Sequence, residues 1–325
     1  MKIISWNCRG LGNPWAVRAL NKLLKQQAPN LVFLMETRRK TDELNRIRNR
    51  GRMGNIAGID CEGDGRSRAG GLAVMWDSSI VLEVSSMSLN HIDMRVKVAE
   101  AGQQWRVTGF YGNSDAANKQ KSWDLLSSLG KSQNMPWLVF GDFNQILEQK
   151  EKTGGLSVSY SQMKGFQEVL QMNQLLDLGF VGHSFTWTNN RPGEMNIQER
   201  LDRAIATIDW KEAFPETIVR HLQRYKSDHC PLLIDVTGQE NKRRRKRPNI
   251  FRFEEMWLQN QECKEKASQR NKRNRIERIT DDAGILFEDE EKIEEIIVNF
   301  YEDLFKTEGT MEEEQVAAVV GGRVS

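Results

Sequence analysis

Carboxylates, amides, an imidazole and a phenol recur in this sequence at one kind of place, the end of a strand-like run. Asp228 and His229, in YKSDHCPLLIDV, stand directly in front of the apolar run Pro231–Val236. Asn7 ends KIISWN, Glu36 ends LVFLME and Tyr111 ends WRVTGFY. Asp142 and Asn144 close WLVFGDFN, and Asp202 lies in ERLDRA. Taken singly, an Asn or Asp after a strand is a turn residue whose side chain bonds its own backbone. A lone histidine or tyrosine is likewise more often structural. Together, delivered by several strands to one sheet edge, these residues are the ionisable groups, donors and acceptors of a catalytic site. GDFN is the sharpest local signal, because residues two apart on a strand face the same way and Gly141 permits close backbone approach.

The elements that must carry these groups alternate between two periodicities. Lys2–Asn7 reads as a strand. PWAVRALNKLLKQQAP then sets Ala16, Leu20, Leu23 and Leu24 at helical spacing, with Pro14 suited to a first turn. Leu31–Glu36 is a continuous apolar run, the pattern of a strand buried on both faces. RAGGLAVMW, IVLEVSSMS, HIDMRVKV and QWRVTGFYG follow in series, and the short polar or glycine breaks between them predict antiparallel neighbours. Asp115–Leu129 and Ser161–Leu175 read as helices, and Trp137–Asn144 as a buried strand. Ser184–Thr188, Glu199–Ile205 and Pro231–Val236 read as closing strands. The fold class is α/β, with mixed sheets covered by helices and no internal repeat.

Composition sets the frame. With 325 residues, 38% hydrophobic and 28% charged, the chain can bury a real core as one large domain with an appendage. No apolar run approaches the roughly 18 residues of a membrane span. MKIISWNCRG enters strand-like sequence at once, so no signal peptide is expected. Cys8, Cys61, Cys230 and Cys263 are scattered without a CxxC pair, which predicts free thiols in a reducing compartment and neither disulfides nor a zinc site. The net charge of +2 hides a blocked distribution. Residues 1–238 carry 30 Lys+Arg against 25 Asp+Glu, a net +5; residues 242–278 carry 14 against 5, a net +9; residues 279–325 carry 3 against 14, a net −11. Residues 1–237 are therefore expected to form the main domain, 238–250 a basic linker, and 251–325 a charged, partly helical tail. In that tail, Glu288–Phe305 places Ile293, Ile296, Ile297, Phe300, Tyr301, Leu304 and Phe305 on one helical face.

SWNCRG, VFLMET, GFYG, GDFN, ERLDR and SDHCPL, in this order over residues 1–237, resemble the endonuclease/exonuclease/phosphatase superfamily with its DNase I-like fold. Within it, SWNCRGLGNP, FTWTNNRPG, QERLDRAIA and SDHCPLLID look like the endonuclease domain of plant non-LTR (LINE-type) retrotransposon polyproteins. The resemblance implies a four-layer α/β sandwich of two packed mixed sheets flanked by helices. It also implies metal-dependent hydrolysis of phosphodiesters in DNA, with Mg²⁺ as cofactor and Mn²⁺ as a possible substitute. A hard cation held by one or two carboxylates suits that chemistry.

By the same resemblance Glu36 is the chief Mg²⁺ ligand, with Asn7 and Asp228 close to the metal or phosphate. Asp142 would orient or deprotonate the attacking water, and Asn144 would hold it or a phosphate oxygen. Asp202 would bond His229 and keep it cationic, as a nearby carboxylate favours imidazolium. Tyr111 would donate to the phosphate or leaving group. Which of Asp142 and His229 acts as base, and whether one metal or two operate, stay open at the level of sequence.

Substrate choice is read from three places. In many AP endonucleases a Trp stands three residues before the Asp that pairs the histidine and walls a sugar pocket; here that residue is Glu199, a costly neighbour for an apolar pocket. Thr188–Gln198 occupies the place of a DNA-probing hairpin, so Asn189, Asn190 and Arg191 are candidate DNA contacts, against a plain Pro-Gly turn. Lys242–Pro248 (KRRRKRP) reads as a nuclear localisation signal, a phosphate-binding arm or a solvated linker. The expected substrate points to the nucleus, with the cytoplasm as the alternative and secretion not expected. Competing readings are an AP endonuclease-like or small-molecule phosphoesterase, and an inactive or nucleic-acid-binding element fragment. FRFEEMWLQNQECKE and the stretch from Arg270 to Phe305 resemble pieces of the region that joins endonuclease to reverse transcriptase. The expectation is a truncated product without the reverse transcriptase.

Overall fold

The continuous apolar runs become the inner strands of two sheets. The computed structural model describes residues 1–98, 104–131 and 135–237 and, beyond them, 279–280, 286–287, 289 and 292. The chain runs β1 (Lys2–Asn7), α1 (Pro14–Gln27), β2 (Leu31–Met35), α2 (Asn45–Arg50), β3 (Asn55–Ile59) and β4 (Leu72–Trp76). There follow β5 (Ile80–Ser88), β6 (His91–Val98), β7 (Gln104–Tyr111), α3 (Lys119–Gly130), β8 (Trp137–Asp142), β9 (Lys152–Thr153) and α4 (Tyr160–Met172). The domain closes with β10 (Leu175–Asp177), β11 (Trp187–Thr188), β12 (Gln198–Glu199), β13 (Asp202–Thr207), α5 (Ile208–Ala213), β14 (Ile218–His221) and β15 (Leu232–Asp235).

One six-stranded sheet has the order β14-β15-β1-β2-β4-β3, the other β10-β13-β8-β7-β6-β5, and β11-β12-β9 form a small third sheet. Alternation along the strands builds the layers. Ile3, Leu31, Phe33 and Met35 face the second sheet, where Ile92, Met94, Val107, Leu138 and Phe140 meet them. Ile4, Val32 and Leu34 point the other way, onto Ala16, Leu20 and Leu24 of α1. On the far face of the second sheet, Phe110, Val139 and Ile205 pack under Trp123 and Leu126 of α3 and Phe166 and Val169 of α4. The result is the four-layer α/β sandwich that the family resemblance implied. α1 starts as expected, with Pro14 in its first turn and Asn13 Oδ1 accepting from Trp15 N at 2.9 Å.

Each large sheet contains one parallel pair, β1 with β2 and β7 with β8, and their other pairings are antiparallel. That topology explains the gathering of polar groups. The parallel strands end at a common edge, presenting Asn7 and Glu36 from one sheet and Tyr111 and Asp142 from the other. The antiparallel neighbours begin there: Asp202 is in register with Asp142, and β15, just after His229, starts opposite Ser5.

Some sequence expectations change. The four strands read in series are split between sheets, since β4 pairs with β2 and β3 while β5, β6 and β7 form a meander. The chain crosses over at Asp77–Ser79, where Asn30 binds both Asp77 and Ser79 through its side-chain amide. Glu199–Ile205 is not one strand, because Arg200 N bonds Glu151 O while Leu201 N and Asp202 N both donate to Thr186 Oγ1. Of Ser184–Thr188 only Trp187–Thr188 is strand. Short β3, β10 and β14 carry too few alternating apolar residues to stand out. Cys8, Cys61 and Cys230 are buried free thiols, and Cys263 lies outside the described residues. In the tail, Ile279–Thr280 pairs antiparallel with Leu286–Phe287. Lys242–Pro248 lies outside the described residues, as does Glu288–Phe305 apart from Asp289 and Lys292. No described helix is long and apolar enough to cross a membrane.

Candidate active site

Asn7 joins the two sheets. It is 1% exposed, and its Nδ2 donates both to Glu36 Oε1 (3.1 Å) and to Asp142 Oδ2 (3.0 Å). Glu36 follows β2 in the left-handed region (φ 50°), a conformation held by the next two amides, Thr37 N to Gly71 O and Arg38 N to Gly70 O. Its Oε1 also accepts from Tyr111 Oη (2.9 Å) and Arg9 Nη1 (3.1 Å), and Arg38 Nη2 lies 3.8 Å from Oε2. Burial opposes ionisation of Glu36, but the Asn7, Arg9 and Tyr111 donors outweigh it and hold the carboxyl below the usual range. Burial and the neighbouring Glu36 and Asp142 charges push the Tyr111 phenol up, so it is a neutral donor.

Arg9 completes this half of the site. Its Nε sits 3.4 Å from Asp228 Oδ1 while Nη1 holds Glu36, so one guanidinium is shared by two carboxylates. Asp228 Oδ2 accepts from Trp187 Nε1 at 3.1 Å. Ser227 pins the loop by donating its hydroxyl to Asn7 O (2.8 Å) and accepting from His229 N (3.1 Å).

The other half is a buried relay. His229 Nδ1 donates to Asp202 Oδ2 at 2.8 Å, and Nε2 stands 3.7 Å from Asp142 Oδ2, an ion-pair distance too long for a hydrogen bond. Burial disfavours the His229 cation, yet the Asp202 and Asp142 charges win and raise it to about 9. Burial raises Asp142 to about 6, against the pull of His229 and with Asp202 adding to the push. Asp142 Oδ1 accepts from Asn144 N (2.8 Å). Asn144 is itself left-handed (φ 52°), and its Nδ2 donates to Gly112 O (2.9 Å) while Lys119 Nζ donates to its carbonyl.

The close approach expected at GDFN is real. Gly141 has φ +147°, and a Cβ built there would lie 1.9 Å from Phe110 O. Gly141→Ala should therefore destabilise the domain by about 1–3 kcal/mol or more through overpacking against backbone. A lower urea midpoint with unchanged m is the check; an unchanged midpoint would refute this reading.

Of the residues expected to bind DNA, Asn189 shapes the turn itself. Its Oδ1 accepts from Arg191 N (3.1 Å) and Ile197 N (3.0 Å), and its Nδ2 donates to Met195 O (2.8 Å). Asn190 lines a cleft of about 510 Å³ together with Arg9, Arg224, Lys226, Ser227 and Asp228. Arg191 is exposed at the hairpin tip. Glu199 is paired to Lys152 Nζ at 2.6 Å, and Trp187, opposite it in register, is the indole that reaches the site. Sequence reasoning missed Arg9, Lys119, Trp187 and Ser227. For Arg9 the signal was present, a cation two residues beyond Asn7 in a glycine-bearing loop.

Two places bear on a metal. Asp142, Asp202 and His229 each offer an atom within 4.8 Å of the others. The Asp202 and Asp142 carboxylates favour the His229 cation, the state in which the imidazole donates protons. Glu36, Asp228 and the Asn7 amide oxygen are instead a hard oxygen set of the kind Mg²⁺ takes. The guanidinium they share marks the space between the two carboxylates as one that positive charge satisfies.

Solved structures share this architecture. The AP endonuclease LMAP of Leishmania major superposes with a TM-score of 0.55 at 15% identity, covering 72% of this chain and 86% of that one. The endonuclease domain of TRAS1, a telomere-specific non-LTR retrotransposon, gives 0.53 at 12%, covering 72% and 96%. The Xenopus laevis APE2 catalytic domain gives 0.53 at 16%, covering 72% and 91%. At these identities the likeness carries the fold, which is DNase I-like. No curated protein matches the sequence. Residues 4–229, nearly the whole two-sheet domain and every group of the relay, match the Endonuclease/Exonuclease/phosphatase family, and the chain belongs to that family.

Proposed function

We propose that this chain is a Mg²⁺-dependent phosphodiesterase that nicks double-stranded DNA, a retrotransposon-type endonuclease. The observation that carries this reading is the continuous set Asp202–His229–Asp142–Asn7–Glu36, which couples a buried proton relay to a carboxylate held ionised. Glu36, Asp228 and Asn7 would hold the ion. When bound, Mg²⁺ polarises a phosphoryl oxygen and offsets the charge that develops around phosphorus.

The chain's own residues supply the rest. Asp142, at about 6, is mostly carboxylate at neutral pH and takes the proton of the attacking water. His229 remains cationic, and its Nε2–H, too far from Asp142 to bond it, donates to a non-bridging phosphate oxygen. Water oxygen then bonds phosphorus, the P–O bond to the departing sugar breaks, and Tyr111 gives its hydroxyl proton to the leaving oxygen. Asn144 N fixes Asp142 Oδ1, while Oδ2 accepts from Asn7 Nδ2 on the side that faces His229.

One observation favours the AP endonuclease reading: Trp187 stands beside Asp228, so an indole lines the site despite Glu199. A single assay separates the two. Supercoiled plasmid should become open circles with Mg²⁺ or Mn²⁺ but not with EDTA, at the same rate whether or not it carries abasic sites. Nicking confined to abasic plasmid would install the repair reading. No nicking by folded protein would sink both.

A further inference from the structure

Beside Glu36 lies a groove of about 490 Å³ lined by five arginines (Arg9, Arg38, Arg39, Arg66, Arg68), three glycines and Asn13. No carboxylate and no apolar side chain lines it. Glu36 and Asp228 pair with Arg9, Glu36 with Arg38, and Glu43 with Arg39 and Arg68; Arg66 makes no ion pair among the described residues. Five guanidiniums against these three carboxylates, with Asp64 acting on Arg68 as a fourth, leave the groove with an excess of positive charge.

The groove is a built feature. Three loops form it, and their backbones bond one another: Leu11 N to Thr37 O, Arg38 N to Gly70 O, Cys61 N to Arg39 O. The glycine spacing of CRGLGN has its reason here. A Cβ on Gly10 would lie 3.2 Å from Arg38 Cδ, and one on Gly12 would lie 3.3 Å from Arg39 Nη2. The two glycines thus make room for the two arginines of ETRRK. Arg9 lines this groove and also the cleft that contains Arg224 and Lys226, so cations flank the Glu36 carboxylate on two sides.

We propose that the arginine groove is a second phosphate site, holding the backbone of the bound DNA strand beyond the scissile phosphate. A planar guanidinium matches phosphate in a bidentate fork, and glycine walls let a sugar-phosphate chain come close. The proposal rests on the nuclease reading for its choice of polyanion. It adds that recognition extends past the reacting centre on a defined side, so small phosphodiesters lack most of the binding.

The test separates binding from chemistry. Full-length wild type and the Arg66→Ala/Arg68→Ala variant are titrated against a fluorescent 20-base-pair duplex in EDTA over a KCl series. Hydrolysis of bis(p-nitrophenyl) phosphate with Mg²⁺ is followed in parallel. The variant should bind DNA about tenfold more weakly, and the log–log salt slope should fall by about 1.8, near 0.9 for each lost phosphate contact. Its rate on the small ester should match wild type. Arg66→Glu, which breaks no ion pair, should weaken binding on its own, and Arg66→Lys should restore the slope. An unchanged slope and affinity in all variants would overturn the groove while leaving the nuclease reading standing. Loss of slope in variants of a protein that hydrolyses nothing would support the groove and sink the nuclease. Binding of inorganic tripolyphosphate in the groove more tightly than the duplex would overturn the assignment to DNA.

Discussion

Glu36→Gln is expected to lower the Mg²⁺-supported plasmid nicking proposed above by about a thousandfold, the scale of a lost charge-stabilising group at a reacting centre. Gln keeps an oxygen where Oε1 now accepts from Asn7, Arg9 and Tyr111, so the shape of the cluster survives. What disappears is the charge that Arg9 and Arg38 neutralise and that a divalent ion would need. Arg38, freed of its partner, and Arg9, left with Asp228 alone, repel an incoming cation. Calorimetric titration should show Mg²⁺ affinity falling along with the rate, while thermal unfolding stays cooperative. Raising Mg²⁺ should recover little, since the arginines remain. Nicking within tenfold of wild type would mean that Glu36 is not the metal-holding carboxylate, and Asp228 would take that place.

The sequence displayed the positions of the site groups more clearly than their partners. Asn7, Glu36, Tyr111 and Asp142 close or directly follow short runs rich in apolar, β-branched and aromatic residues, a pattern that at this length favours buried strands. Two parallel pairs then force their ends to one edge, so strand ends were a sound guide. Charge pairing across the fold left no such mark. Arg9 reaches Glu36 over 27 residues and Asp228 over more than two hundred, and nothing local in CRG tells which carboxylates it will meet. Asn189 shows a second ambiguity. Its polar side chain in a hairpin resembled a DNA contact, but a two-donor, two-acceptor amide also closes turns, and here it does. β4 was misassigned to the meander because the crossover at Asp77 is as short and polar as a hairpin turn. Length and polarity of a break do not distinguish a turn within a sheet from a step between sheets.

Asp202→Asn should lower turnover by about 10²–10⁴-fold, by analogy with the loss that follows when a buried Asp holding a catalytic histidine is made an amide, and the pH profile should show why. Burial alone pushes His229 below its usual 6.5; the Asp202 and Asp142 carboxylates reverse that and carry it to about 9. Wild-type activity is therefore expected to rise through about 6, as Asp142 loses its proton, and to fall through about 9, as His229 loses its own. Without Asp202 the upper limb moves down towards 6.5, and the working window closes from above. Stability carries an independent signature. His229 has its folded pKa above the unfolded 6.5, so its contribution is full below 6.5 and is lost as pH rises through about 9. Asp142, raised from 3.8 to about 6, acts in the same sense at lower pH, contributing below 3.8 and losing that contribution as pH rises through about 6. Wild type should thus lose stability between pH 6.5 and 9, and the variant should lose much less over that interval. Urea midpoints at pH 6 and 9 measure this without any substrate. A variant whose alkaline stability loss equals that of wild type would show that Asp202 does not hold the His229 proton, and the relay would have to be redrawn around Asp142 alone.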